Sequence, residues 1–148
     1  MGPCGGGAVY SLALIDLTIM VENSSYMFVT GPEVVKTVTH ENVTQEELGG
    51  AKVHATKSGV AHLTFKNDVD ALLQTRRLVN FLPLSNKSGV PKIPTEDKFD
   101  RVDVSLNTLV PENSNQPYDM SELVEKIVDE GDFFEIQPTY ATNIIVGF

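Results

Sequence analysis

Three consecutive glycines, Gly5-Gly6-Gly7, run directly into an apolar stretch that begins at Ala8, and these are the residues whose type and order best suit chemistry. Glycine lets the backbone approach a ligand closely, and a helix that follows aims its free N–H groups and positive dipole end at the same point. Such a turn stabilises an oxyanion or an enolate. On composition alone a plain terminal tail reads as well. No Gly-Lys-Ser/Thr follows the glycines, which excludes a phosphate loop, and the G-x-G-x-x-G spacing of a dinucleotide site does not occur.

The other chemistry-bearing side chains are weaker candidates. His40, His54 and His62 lack His-Glu-x-x-His spacing, and one cysteine cannot complete a zinc site, so no metal is expected and the histidines read as surface or supporting residues. Cys4 has no base or cation beside it in sequence to form a thiolate and reads as a small turn filler. Lys52, Lys57 and Lys66 lie near the Gly49-Gly50 loop and could meet phosphates, although scattered surface lysines are the commoner explanation. Residues 119–135 hold seven acids and one base, the pattern of a solvated helix face.

The elements that must position these groups follow from periodicity. A short buried helix is predicted over 8–14, strands over 17–21 and 26–30, and a helix over 33–38 started by Pro32. Thr44-Gln45-Glu46-Glu47 is a capping box closed by Gly49-Gly50. Residues 68–82 predict an amphipathic helix whose apolar positions are Val69, Leu72, Leu73 and Val79, stopped by Pro83. From Pro83 to Pro117 five of the eight prolines fall among Ser, Asn and Lys, as in a linker. Met120, Leu123, Val124, Ile127 and Val128 then repeat at helical spacing between Asp119 and Gly131, and strands follow at 133–136 and 144–148. Helices interleaved with short strands argue for an α/β arrangement, one unit before the linker and another beginning after it.

The 148 residues carry 11 Lys+Arg against 20 Asp+Glu, a formal charge of −9, with 41% hydrophobic and 21% charged residues. That is enough apolar material for a core and too little charge for a disordered chain, so a soluble globular protein is expected. The acidic balance, with an isoelectric point near 4.6, excludes nucleic acid and anionic membrane as expected partners. The run 8–21 is too short and too interrupted by Ser11, Asp16 and Thr18 to span a bilayer. The glycine-rich opening without a basic leader, and the strand-like Asn143-Ile144-Ile145-Val146-Gly147-Phe148 at the other end, give the expectation of an internal piece of a longer protein.

Ordered blocks across the chain carry a resemblance. They are Gly2-Pro3-Cys4-x-Gly6-Gly7-Ala8-Val9-Tyr10-Ser11, Thr30-Gly31-Pro32-x-Val34-Val35-Lys36, Val43-Thr44-Gln45-Glu46-Glu47-Leu48-Gly49-Gly50-Ala51 with His54, and Ser58-Gly59-Val60-Ala61-His62. Further blocks are Asn67-Asp68-Val69-Asp70-Ala71-Leu72, Asn80-Phe81-Leu82-Pro83-Leu84 and Val128-Asp129-Glu130-x-x-Phe133-Phe134-Glu135, with the closing Asn143-Ile144-Ile145-Val146-Gly147-Phe148. Together they resemble the β subunits of the propionyl-CoA carboxylase family of biotin-dependent acyl-CoA carboxyltransferases. The chain departs from that family at Gly5, where alanine is usual, and at Leu12, where proline is usual.

The resemblance implies a crotonase-like carboxyltransferase fold. Residues 1–86 would be the end of its N-terminal domain, 87–117 the inter-domain linker and 118–148 the start of its C-terminal domain. It implies transfer of carboxyl from carboxybiotin, carried on a partner α subunit, to the α-carbon of propionyl-CoA, giving methylmalonyl-CoA. Gly6 and Gly7 would supply the backbone oxyanion hole for the thioester enolate, and the stretch 122–148, from Glu122 to Phe148, would lie in the acyl-CoA region. The family places the biotin-activating oxyanion site beyond Phe148 and pairs domains of different β subunits, so a lone piece would be inactive. It implies the mitochondrial matrix in a eukaryote and the cytoplasm otherwise, with any targeting peptide outside this chain. Without the strands that precede it in the family, a sheet edge near residues 17–21 is expected to be exposed. The competing readings are a non-catalytic module that binds the full-length carboxylase, and a subunit of a related acetyl-CoA carboxylase or methylmalonyl-CoA decarboxylase.

Overall fold

The computed structural model describes residues 1–148. The glycine turn is preceded by a short strand, β1 (Pro3–Gly5), where sequence alone gives only a turn, and followed by helix α1 (Ala8–Ala13). Strands β2 (Ile19–Val21) and β3 (Tyr26–Phe28) are joined by a tight turn through Asn23, whose φ is +57°. β3 pairs in parallel with β1, in the register Pro3↔Tyr26, Cys4↔Met27 and Gly5↔Phe28. Helix α2 (Pro32–Thr39) starts with proline at its first position, where a missing N–H has no helical partner to lose. Helix α3 (Gln45–Gly49) begins at the expected capping box: the Glu47 N–H donates to Thr44 Oγ1 at 3.2 Å, and the Thr44 N–H donates to Glu47 Oε2 at 2.9 Å.

After Gly50 the chain turns straight into α4 (Ala51–Val53), which widens into a π-helical turn over His54–Ser58 and stops at Gly59 with φ +70°. The next strand, β4 (Leu63–Phe65), is absent from the periodicity reading because a three-residue strand shows too little alternation. It pairs in parallel with β2 (Ile19↔Leu63, Val21↔Phe65). The expected exposed edge is therefore half present: β2 has one strand neighbour, yet its Met20 and Val21 are buried.

Helix α5 (Asp68–Asn80) is where expectation and structure part most clearly. Its buried positions are Ala71 and Leu78, on the side that packs against β2 and β4. Val69, Leu72, Leu73 and Val79, the predicted core stripe, are all exposed. Spacing identifies an apolar face but not what covers it, and in this chain the smaller face meets the strands. Residues 87–117 are irregular and largely exposed apart from α6 (Leu106–Leu109). Helix α7 (Met120–Ile127) follows, capped by Asp119, whose carboxylate accepts from the Ser121 N–H at 2.8 Å. An antiparallel pair, β5 (Glu135–Ile136) with β6 (Val146–Gly147), closes the chain.

Two apolar clusters hold these elements. Val9, Met20, Met27, Ala51, Ala55 and Ala61 seat the glycine turn and α4, and Leu63, Leu78 and Phe134 join β4 and α5 to the C-terminal strands. The ring of Phe134 stands 5.9 Å from that of Phe81, so the C-terminal strands pack on α5 across the irregular segment.

Candidate active site

The glycine turn is fixed from both sides. Gly6 has φ +67°, a left-handed conformation that favours glycine, and its N–H is shared between the carbonyls of Phe28 at 3.2 Å and Val29 at 3.1 Å. Gly7 is the N-cap of α1 with φ −60° and ψ −28°, and it has no side chain to cap the helix. Its carbonyl accepts from the Tyr10 N–H, while the Gly6 carbonyl accepts from the Val9 N–H. The Gly7 N–H makes no hydrogen bond within the chain, and the residue is exposed. The two glycines named by sequence thus differ: Gly6 shapes and ties the turn, and Gly7 offers the open donor. Buried Val9 anchors α1 behind them.

The alanine usual at position 5 fits this geometry, because a Cβ on Gly5 would lie 3.6 Å from the Phe28 ring, ordinary van der Waals contact. Cys4 is half-buried beside Met27 and lines an apolar hollow with Leu12, Leu17 and Met20, which agrees with its reading as filler.

The histidines take structural positions and do not converge. His40 ends α2 in the left-handed region with φ +62° and is exposed. The Nδ1 of His62 accepts from the Thr18 N–H at 3.0 Å, tying β4 to the entrance of β2. His54, a supporting residue on the sequence reading, finds its partner 27 residues upstream. Its Nε2–H donates to the Met27 carbonyl at 2.7 Å, and its Nδ1 accepts from the Ser58 hydroxyl at 2.8 Å. No sequence signal points to that tie, because Met27 contributes its backbone and not its side chain. No group of three or more His, Cys, Asp or Glu side chains is arranged to hold a metal ion.

Lys52 and Lys57 come together on one groove, but Glu46 and Glu47 line it too, and Lys66 is elsewhere. The acidic helix α7 is bound to the irregular segment through Lys126, which lies 3.7 Å from Asp103 as well as 3.6 Å from Glu122 on its own helix, and just past the helix the Glu130 N–H donates to Asp97 at 2.7 Å. Hydrogen bonds from Ser105, with Lys126 nearby, hold the Asp103 carboxyl below its ordinary range. Lys126 is the only cation between Glu122 and Phe148, so that stretch presents no unpaired positive charge to a phosphate.

Residues 1–148 match the carboxyl transferase domain family, and the chain belongs to it. It is 62% identical over its full length to the propionyl-CoA carboxylase beta chain of Roseobacter denitrificans, of which it spans 29%. It is 57% identical to the mitochondrial propionyl-CoA carboxylase beta chain of Homo sapiens, spanning 28% of it. To the methylmalonyl-CoA decarboxylase subunit alpha of Veillonella parvula it is 53% identical, spanning 29%. Among solved structures, transcarboxylase 12S superposes with a TM-score of 0.93 at 40% identity, over 99% of this chain and 29% of that one. That structure is described as a hexamer assembly binding substrate in a multienzyme core, with hydrolyzed methylmalonyl-coenzyme A bound. The fold is therefore a segment of the crotonase-like carboxyltransferase fold, as the resemblance implies, and the chain spans less than a third of the length of these relatives.

Proposed function

We propose that this chain is part of the carboxyltransferase subunit of a propionyl-CoA carboxylase, which carboxylates propionyl-CoA at its α-carbon to give methylmalonyl-CoA. The observation that carries this reading is 62% identity along the whole chain, the segment with the glycine turn within the matched span, to a propionyl-CoA carboxylase beta chain. Biotin on a partner α subunit supplies the activated carboxyl group. This chain's part is to hold the thioester of the acyl-CoA. Loss of the α-proton moves negative charge onto the thioester oxygen, and a preorganised N–H donor aimed at that oxygen lowers the barrier. Mutational precedent puts one such donor at roughly 3 kcal/mol.

Within the turn the Gly7 N–H takes that role, since it has no competing acceptor, and Gly6 sets its direction through its left-handed φ. The turn would serve the thioester, and biotin would be held by residues outside this chain. Residues 1–86, 87–117 and 118–148 would be the end of one domain, a linker and the start of the next. The working assembly would include other β subunits, in line with the hexamer described for transcarboxylase 12S. In a eukaryotic source it would work in the mitochondrial matrix, as the names of the mammalian relatives suggest, and in a bacterium in the cytoplasm. Identity of 53% to a methylmalonyl-CoA decarboxylase subunit keeps a second reading, the reverse transfer from methylmalonyl-CoA.

The test is bicarbonate fixation into acyl-CoA by the full-length subunit carrying this segment, assembled with its biotin-bearing partner. Gly7→Pro fits φ −60° but removes the N–H, and Gly7→Ala keeps it. Propionyl-CoA carboxylation reduced about 10²- to 10³-fold by Gly7→Pro and little by Gly7→Ala is expected. Equal activity of Gly7→Pro and the parent would refute the oxyanion role, and turnover confined to methylmalonyl-CoA decarboxylation would favour the second reading.

A further inference from the structure

The glycine turn is not positioned by its own helix alone. Gly6 hangs from two carbonyls of the chain just after Met27, and the Met27 carbonyl is gripped by His54 through its Nε2–H at 2.7 Å. The ring is held in that tautomer from behind, where the Ser58 hydroxyl donates to Nδ1 at 2.8 Å, one π-helical turn later. The wider π turn ends at Gly59 and places Ala55 in the same apolar cluster as Val9, Met20 and Met27. A continuous path therefore runs from Ser58 to His54, to the carbonyl of Met27, along β3, and through the Phe28 and Val29 carbonyls to Gly6 and its neighbour Gly7. Met27 also lies opposite Cys4, two residues before Gly6, in the parallel pairing of β1 with β3.

From this we infer that His54 is a positioning residue for the oxyanion turn: its Nε2–H sets the height of β3 and so the direction of the Gly7 N–H. The inference rests on the proposed role of Gly7. His54 does not touch the thioester and moves no proton. Its contribution is the donor to Met27, and Ser58 contributes by choosing the tautomer. A side chain that keeps a donor of similar reach therefore preserves function, whereas an apolar side chain of similar bulk does not.

The experiment compares H54Q, H54L and H54N in the assembled full-length carboxylase, with kcat and KM for propionyl-CoA and the infrared carbonyl stretch of bound propionyl-CoA labelled with ¹³C at the thioester carbonyl. A donor aimed at the thioester oxygen lowers that frequency. H54L should lose about tenfold in kcat, less than deletion of a donor outright, with KM changed by less than about threefold and the frequency moved back toward that of free substrate. H54Q, whose amide N–H reaches the Met27 carbonyl, should keep the lowered frequency and most of the turnover. H54N, polar but one methylene shorter, should behave like H54L and serves in its place if the leucine variant does not assemble. A lowered frequency unchanged in H54L or H54N, or lost equally in H54Q, overturns the role of His54. Gly7→Pro separates the two ideas: if it too leaves the frequency and turnover intact, the oxyanion reading has failed, whereas a loss confined to Gly7→Pro refutes only the positioning role.

Discussion

Among single residues, three glycines meet three different constraints. Gly6 has open space where a Cβ would stand but φ +67°, so Gly6→Ala incurs only a backbone cost, about 1–2 kcal/mol. Gly7 has right-handed helical angles and equal space, so Gly7→Ala should be neutral or slightly stabilising. Gly49 is buried, and a Cβ there would lie 2.0 Å from the Met27 carbonyl oxygen, the same oxygen that His54 holds. Gly49→Ala must displace β3 and should cost about 3 kcal/mol or more. Urea unfolding midpoints should therefore fall in the order Gly7→Ala, Gly6→Ala, Gly49→Ala, and a Gly49→Ala variant as stable as the parent would contradict this packing.

Among the elements, the start of α3 links a capping motif to pH. Hydrogen bonds from the Thr44 backbone and hydroxyl hold the Glu47 carboxyl below its ordinary range. A carboxyl depressed in the folded state adds stability that is present above its unfolded pKa and is lost as pH falls through its folded one. The Glu47 contribution is thus complete at neutral pH and disappears on acidification below the ordinary glutamate range. Thr44→Ala should lower stability by about 1 kcal/mol at neutral pH through loss of the cap, and the difference from the parent should shrink in acid. Thermal melts at both pH values check the sign. Helix α5 offers a second test, of which face packs: Leu78→Ala should cost about 2–5 kcal/mol, and Leu72→Gln less than about 0.5 kcal/mol, because Leu78 is buried and Leu72 is exposed.

For the molecule as a whole, the accessible surface is 10667 Å², against about 7,500 Å² for a typical compact monomer of this mass. The excess has a visible source in the irregular residues 87–117 and in the uncovered stripe of α5. The C-terminal strands are tied to α5 by specific contacts. Arg77 on α5 pairs with Asp132, donates to the Phe133 carbonyl at 3.3 Å, and lies 5.3 Å from the centre of the Phe134 ring. The ion pair is half exposed and contributes little, so the buried ring dominates. Phe134→Ala should cost about 3–5 kcal/mol, and Arg77→Ala about 1 kcal/mol. Protection of β5 and β6 amides in hydrogen exchange should fall in Phe134→Ala well before that of β1 and β3, since the two apolar clusters are separate.

Short-range physics controls the features that are legible in the order of residues: the glycine turn before α1, Pro32 opening α2, the Thr44–Glu47 box, the Asp119 cap, and helices α1, α2, α3, α5 and α7. Each depends on residues within about four positions of one another, so the signal is complete in the local text. The residues that carry the family resemblance are legible in the same way, and they lead to the correct fold. Long-range packing settles which face of α5 is buried, that β4 pairs with β2, and that Phe134 shares a core with Leu63 and Leu78. It also settles which glycine keeps an open N–H. Gly6 and Gly7 are chemically identical in sequence, and they are separated by the distant carbonyls of Phe28 and Val29, which satisfy one donor and leave the other free. Backbone partners of that kind carry no side-chain signature, which is why the His54 tie to Met27 becomes visible only in the folded chain.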